Sequence, residues 1–169
     1  MKYKKIAFIG MMGCGKSTIS KLLSEKNGFD FVDLDEFFEQ ENNIKIKDYF
    51  KSFGEKLFRK KETEILEKFS KKENIIISTG GGVVLAKENQ DILFNKNIFT
   101  IYLKTSVDSI FDRIKDDKTR PLLLVKNPKS EIEKILNSRK SLYEKANLTI
   151  TTDNKTKEEI TEEIWKKLI

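Results

Sequence analysis

An apolar run followed at once by a glycine-rich segment sets the strongest limit on what this chain can fold into. Residues 5–9 have the composition of a buried strand, and Gly10-x-x-x-x-Gly15-Lys16-Ser17 follows them and opens an amphipathic segment. A strand, a glycine loop and a helix in that order form a phosphate-binding unit, because successive backbone N–H groups turn toward an anion at the helix N-terminus. The chain is therefore predicted to be an α/β protein that binds a nucleotide.

The residue types inside the loop have separate roles in phosphate binding. Lys16 supplies a point charge for the β- and γ-phosphates, and the hydroxyl of Ser17 is a ligand for Mg²⁺. The other loop residues expected around the phosphates are Gly13, Cys14, Gly15 and Thr18. The predicted ligands are thus a nucleoside triphosphate and magnesium.

Short apolar runs alternate with amphipathic segments along the rest of the chain. Strands are predicted at residues 5–9, 31–34, 75–78, 99–103 and 148–151. Helices are predicted at residues 17–26, 35–42, 46–71, 87–94, 107–115, 130–145 and 156–168, with capping boxes at Ser130/Glu133 and Thr156/Glu159. This alternation predicts a three-layer α/β fold: one five-stranded parallel sheet with helices on both faces, in a single domain of residues 1–169.

Composition excludes several classes of function. The net charge is +6, but acidic residues are interspersed and no basic block of five occurs, so nucleic-acid binding is not expected. The chain has one cysteine and no histidine, which excludes an intrachain disulfide and argues against a zinc site. No run of 18 apolar residues occurs, and glycines interrupt the apolar N-terminal stretch, so neither a membrane span nor a signal peptide is expected. We expect a cytoplasmic protein.

Two acidic residues and one arginine–glutamate pair are candidates for the acceptor side of a phosphoryl transfer. Asp33 and Asp35 lie two apart at a predicted strand end, where one could order the magnesium shell and the other could accept a proton. The alternative is that Asp35 caps a helix and Asp33 is solvated. Arg59 and Glu62 are i,i+3 neighbours on a predicted helix, so the glutamate either steers the guanidinium or forms an ordinary surface pair.

Arginine is scarce in this lysine-rich chain. Only four of the 33 basic residues are arginine: Arg59, Arg113, Arg120 and Arg139. Arginine is preferred where a planar, bidentate donor is needed, although chance placement is the simpler alternative. Two segments also interrupt the α/β pattern: Gly80–Gly82, where backbone must approach something closely, and a polar loop around RPLLL at residues 116–127. Both lie on the side of the sheet where open parallel sheets bind ligands.

The class of nucleotide protein is narrowed by what the chain lacks. A GTPase would carry Asn-Lys-x-Asp, and the nearest match, Asn95-Lys96-Asn97-Ile98, ends in isoleucine. A helicase or motor would be much longer. A small-molecule kinase fits best, with a gluconate or nucleoside monophosphate kinase and a non-catalytic nucleotide-binding module as alternatives.

The motifs taken together resemble the shikimate kinase family over essentially the whole chain. They are Gly10–Ser17, Asp33-x-Asp35, Phe58-Arg59-x-x-Glu62, Thr79-Gly80-Gly81-Gly82, Arg120-Pro121-Leu122-Leu123 and Arg139-x-x-x-Tyr143. The resemblance implies a P-loop kinase fold with a substrate-binding helical region at about 35–71 and a lid at about 115–127. It further implies a monomer that phosphorylates the 3-hydroxyl of shikimate with Mg²⁺ and ATP, by direct in-line transfer.

The resemblance also assigns residues on the acceptor side. Asp35 would hold the acceptor hydroxyl and act as its base or orienter. Arg59 and Arg139 would clamp the substrate carboxylate, and the backbone of Gly80–Gly82 would meet the ring hydroxyls.

On the donor side, the resemblance implies that Arg113 packs on adenine and that the loop near Asp153 lines the other side of the base. Arg120 would close with the lid onto the transferred phosphate and the substrate together. Asp33 would support Mg²⁺ through its water shell, and Ser78 falls where the fold carries a second position of that shell.

Overall fold

The structure is a computed structural model that describes residues 3–116 and 125–169. Its five strands form one parallel sheet in the order β2-β3-β1-β4-β5. The strands are β1 (Lys5–Ile9), β2 (Asp30–Asp33), β3 (Ile75–Ser78), β4 (Phe99–Lys104) and β5 (Leu148–Thr151). The predicted five-stranded parallel sheet is confirmed.

Helices join the strands and cover both faces of the sheet. They are α1 (Lys16–Asn27), α2 (Leu34–Asn42), α3 (Ile46–Ser70), α4 (Lys87–Leu93), α5 (Val107–Ile114), α6 (Pro128–Tyr143) and α7 (Lys157–Leu168), with a short 3₁₀ turn at Val83–Leu85. None of the helices in the two described ranges is long and apolar enough to cross a membrane.

The core divides into two layers because successive residues of a strand point to opposite faces. Ile6 and Phe8 of β1 pack with the buried faces of α1 and α7. Ala7 and Ile9 point the other way, into a cluster that includes residues of α2, α3, α4 and α6. The central strand is therefore apolar at every position from 6 to 9, as expected for a parallel sheet that is covered on both sides.

Two predicted helices differ from the structure by more than a one-residue shift of a boundary. α3 is kinked at Gly54, where φ is 79° and ψ is 166°, so the predicted continuous helix over 46–71 is wrong at that residue. α6 begins at Pro128 and is capped by Asn127, whose side chain accepts from the N–H of Ser130. The capping box predicted at Ser130 is thus wrong, because a proline at the first helical position moves the start upstream. The box at Thr156 and Glu159 is confirmed.

The end of β2 also differs, by one residue. Asp33 is the last residue of the strand and the cap of α2, because its Oδ1 accepts hydrogen bonds from the N–H groups of Asp35 (3.0 Å) and Glu36 (3.2 Å). The alternative that Asp35 is the cap is therefore wrong. The side chain of Asp35 is therefore not used as a helix cap and remains available for the candidate active site.

Candidate active site

The carboxyl ends of β1, β2 and β3 meet at one edge of the sheet and build a cavity of about 380 Å³. Ser78 of β3 is level with Phe8 of β1 on one side and with Asp33 of β2 on the other. The cavity is lined by Met12, Gly13, Gly15, Lys16, Ser17, Thr18, Asp35, Thr79, Gly81, Arg113 and Ile114. The structure thus brings the predicted donor loop and Asp35 to one place.

The donor loop is held together by its own lysine. Lys16 is the first residue of α1, and its Nζ donates to the carbonyls of Gly10 (2.8 Å) and Met11 (3.0 Å). Gly15, with a φ of 99°, makes the left-handed turn that leads into the helix. Ser17 and Thr18 follow in the first turn, where the N–H groups have no partner within the helix and favour an anion.

The residues predicted to support magnesium lie together. The Oγ of Ser17 donates to Oδ2 of Asp33 at 2.5 Å and lies 3.4 Å from the Oγ of Ser78. The described residues contain no group of three or more His, Cys, Asp or Glu that could hold a metal ion. A single hydroxyl beside a single carboxylate fits Mg²⁺, which keeps several waters and is completed by substrate phosphates.

The surroundings of the Asp35 carboxylate disfavour a negative charge. Burial raises its pKa from 3.8 to about 6, and the nearby charge of Asp33 adds to this shift while the ammonium of Lys16 opposes it. At neutral pH it is still mostly ionised. A carboxylate with a pKa close to the working pH is suited to accept a proton from a hydroxyl.

Arg59 is held from two sides on α3. Its Nη1 donates to Oε2 of Glu62 at 2.8 Å, its Nη2 donates to Glu55 at 3.2 Å, and its guanidinium lies 5.2 Å from the ring centre of Phe58. The side chain of Glu62 is only 5% exposed, so the alternative of an ordinary surface pair is wrong. Burial raises the pKa of Glu62, although Arg59 opposes the shift, and Oε1 of Glu62 has no hydrogen-bond partner among the described residues.

The glycine run after β3 fits between these groups because it has no side chains. A Cβ on Gly80 would lie 2.8 Å from Oδ1 of Asp35, and one on Gly82 would lie 2.7 Å from Nη1 of Arg59. A Cβ on Gly81 would lie 3.1 Å from the backbone nitrogen of Met12 in the donor loop. The glycine run therefore lies between the donor loop on one side and the acceptor residues Asp35 and Arg59 on the other.

Arg139 of α6 also contacts the glycine run. Its Nη1 donates to the carbonyl oxygen of Gly81 at 3.1 Å, and the hydroxyl of Tyr143 donates to the same oxygen at 2.5 Å. Tyr143 and Glu55 are contacts of the site for which the sequence predicted no role. The available signal was spacing, because each lies four residues from an arginine on the same helix.

Arg113 borders the donor loop at the far end of the cavity. Its Nη1 donates to the carbonyl of Cys14 (3.2 Å) and its Nη2 to the carbonyl of Thr152 (3.3 Å). The carboxylate of Asp153 accepts hydrogen bonds from the N–H and the hydroxyl of Ser106, the cap of α5. The side chain of Asp153 therefore holds the start of α5. Arg120 lies outside the described residues.

Comparisons with known proteins agree with this arrangement. A family model described as shikimate kinase matches residues 12–169. The shikimate kinase of Thermodesulfovibrio yellowstonii is 44% identical over 163 residues, 96% of this chain and 94% of that protein. Among solved structures, a shikimate kinase from Acinetobacter baumannii in complex with shikimate is 32% identical with a TM-score of 0.92, covering 98% of this chain and 93% of that one. The enzyme from Aquifex aeolicus is 35% identical with a TM-score of 0.85, covering 97% and 95%. The chain belongs to the shikimate kinase family.

Proposed function

We propose that this kinase transfers the γ-phosphoryl group of ATP to the 3-hydroxyl of shikimate by direct in-line attack, with no covalent intermediate on the protein. The observation that carries the proposal is the position of Asp35. It lines the same cavity as the phosphate loop and adjoins a glycine run that two arginines approach. A hydroxylated acid held by those arginines would present a hydroxyl to Asp35 and to the donor loop together.

The two arginines would bind the carboxylate of the substrate. A guanidinium forms two parallel charge-assisted hydrogen bonds with a planar carboxylate, whereas an ammonium offers only a point charge. Arg59 adjoins Gly82, and Arg139 contacts the carbonyl of Gly81. Asp35 adjoins Gly80, at the other end of the run. This spacing supports a small ring as the acceptor, with its acid group and its reacting hydroxyl on different ring carbons and its other hydroxyls against the glycine backbone.

Asp35 would accept or orient the proton of the attacking hydroxyl. Its raised pKa leaves it ionised at neutral pH but more basic than an ordinary aspartate. Lys16 would exchange its bonds to the loop carbonyls for the β- and γ-phosphates. Ser17 and Asp33, with Ser78 adjacent, would hold Mg²⁺, which when bound neutralises charge on the phosphate oxygens.

The nucleotide would lie along the donor loop at Gly13, Cys14, Gly15 and Thr18. Arg113 borders this loop and would pack on adenine, while the segment at Asp153 would line the other side of the base. The role of Arg120 as the residue that contacts the transferred phosphate rests on the family resemblance alone. The same holds for the substrate-binding region at 35–71, the lid at 115–127 and the monomeric state, whereas the proposed cytoplasmic location rests on the composition of the sequence.

An ADP-release assay tests the proposal most directly. Purified protein with ATP and Mg²⁺ is given shikimate, gluconate or several nucleoside monophosphates in parallel, and the rate without acceptor is subtracted. We expect ADP release that depends on shikimate alone. No shikimate-dependent release, or faster release with another acceptor, would overturn the proposed acceptor.

A further inference from the structure

The carbonyl oxygen of Gly81 accepts hydrogen bonds from two side chains of one helix. Arg139 and Tyr143 lie four residues apart on α6, so both face the glycine run. A carbonyl oxygen has two lone pairs, and here each is used by a different donor. One of the donors is a residue to which we have assigned a second task, the binding of the substrate carboxylate.

The two donors differ in how freely they can move. Tyr143 is fully buried at the end of α6, and its ring stacks on Tyr102 with centroids 5.1 Å apart and planes 21° apart. Burial raises the pKa of its hydroxyl to about 12, although the charge of Arg139 opposes this, so the hydroxyl keeps its proton and remains a donor. Arg139 is partly exposed, and its long side chain has several rotatable bonds through which it can change its direction.

We propose that Tyr143 is a positioning residue for the acceptor site: it keeps the Gly81 carbonyl hydrogen-bonded while the guanidinium of Arg139 turns from that carbonyl to the carboxylate of the substrate. The inference rests on the proposed role of Arg139 as a carboxylate clamp. An unpaired carbonyl in a partly buried place costs free energy. With Tyr143 present, Arg139 can leave without that cost. Without the hydroxyl, Arg139 is the only donor of this pair and is held back.

Tyr143→Phe removes one hydroxyl and retains the stacked ring. We expect the KM for shikimate to rise roughly three- to tenfold, the range that corresponds to the net loss of one ordinary hydrogen bond. The KM for ATP and kcat should stay within about twofold, because Arg139 still holds the glycine run against the donor loop. Tyr102→Phe is the matched control, since its hydroxyl has no hydrogen bond within the described residues and its ring belongs to the same stacked pair.

A second background separates this role from a merely structural one. In Arg139→Ala no guanidinium remains to be released, and water can reach the carbonyl. Adding Tyr143→Phe should therefore change kcat/KM for shikimate by less than about twofold, a non-additivity expected only for coupled residues. The ratio kcat/KM is measurable at shikimate concentrations below saturation, so it can be compared even in Arg139→Ala variants that bind shikimate weakly.

Three results would overturn the inference: an unchanged KM for shikimate in Tyr143→Phe, an equal rise in the KM for ATP, or a full Tyr143→Phe effect in the Arg139→Ala background. Failure of the clamp itself is distinguishable. It would appear as an unchanged KM for shikimate in Arg139→Ala alone, which overturns both the clamp role of Arg139 and the positioning role of Tyr143. Thermal melting of each variant shows whether it is folded.

Discussion

Replacing Asp35 by asparagine should stabilise the folded protein while removing turnover. The carboxylate of Asp35 lies in a cavity where burial and the charge of Asp33 disfavour ionisation more strongly than Lys16 favours it. The folded chain therefore carries a charge that would be more stable in water. Functional groups of this kind lower stability, and neutral replacements commonly recover it at the expense of activity.

The expected gain follows from the difference between the two pKa values. Burial raises the pKa from 3.8 to about 6, so between about pH 4 and pH 6 the folded state holds a proton that the unfolded chain has lost. The free energy of unfolding must therefore fall as the pH rises through this window, by about 3 kcal/mol in all. Asp35 remains partly exposed and asparagine must also leave water, so we expect a gain of about 1–3 kcal/mol at pH 7, or roughly 3–10 °C in Tm.

Urea unfolding followed by circular dichroism measures this gain in Asp35→Asn at two pH values. The advantage over the wild type should be full at pH 7 and shrink to roughly a third at pH 4.5, where the wild-type carboxyl is protonated in the folded state. Asp30→Asn is the control, because Asp30 is an exposed carboxylate at the start of β2. The reasoning is refuted if Asp35→Asn is no more stable at pH 7, or if its gain is the same at both pH values. Calorimetry should show that ATP binding persists while the ADP-release assay shows no turnover; loss of both would indicate a structural role.

Three further measurements test the assigned roles. The value of kcat/KM for shikimate should fall about tenfold for each pH unit below about pH 6, because Asp35 must be ionised and its pKa is raised to about 6. If kcat/KM instead begins to fall only near pH 4, another group, or an Asp35 that is not buried, controls the rate. Arg59→Lys should raise the KM for shikimate roughly tenfold or more in steady-state assays and leave the KM for ATP unchanged, since a bidentate contact is lost on the acceptor side alone; equal effects on both substrates contradict the clamp. Arg120→Ala should lower kcat by roughly two or more orders of magnitude, as for other arginines that stabilise phosphoryl transfer. A variant that retains normal turnover would remove Arg120 from the mechanism.

The donor half of the site could be predicted from the sequence because it is contiguous. β1, the glycine loop and α1 follow one another within residues 5–27, and each residue type has a local reason to be there. The alternation of strands and helices likewise predicted the parallel sheet, since each crossover is a local pattern repeated along the chain.

The parts that sequence reasoning missed depend on packing between distant segments. The burial of Glu62 could not be read from the lysine-rich pattern around it, because that pattern does not say which face of α3 meets the sheet. The bond from Tyr143 to Gly81 joins residues 62 apart in the chain. The kink at Gly54 also has no clear local signal, because single glycines are tolerated inside helices. The family motifs placed Arg59 and Arg139 in one site, which spacing alone did not.

The order of strands in the sheet has a consequence for synthesis of the chain. Lys5 of β1 and Asp30 of β2 both pair opposite Ile75, the first residue of β3. Neither of the first two strands therefore has a neighbour in the sheet until β3 has left the ribosome. A nascent chain that stops before this point leaves two strands with unpaired edges, one of them the apolar β1, and unpaired strand edges favour aggregation. β3 is thus the segment whose arrival ends the most vulnerable stage of folding, and chaperone demand should fall once it is available.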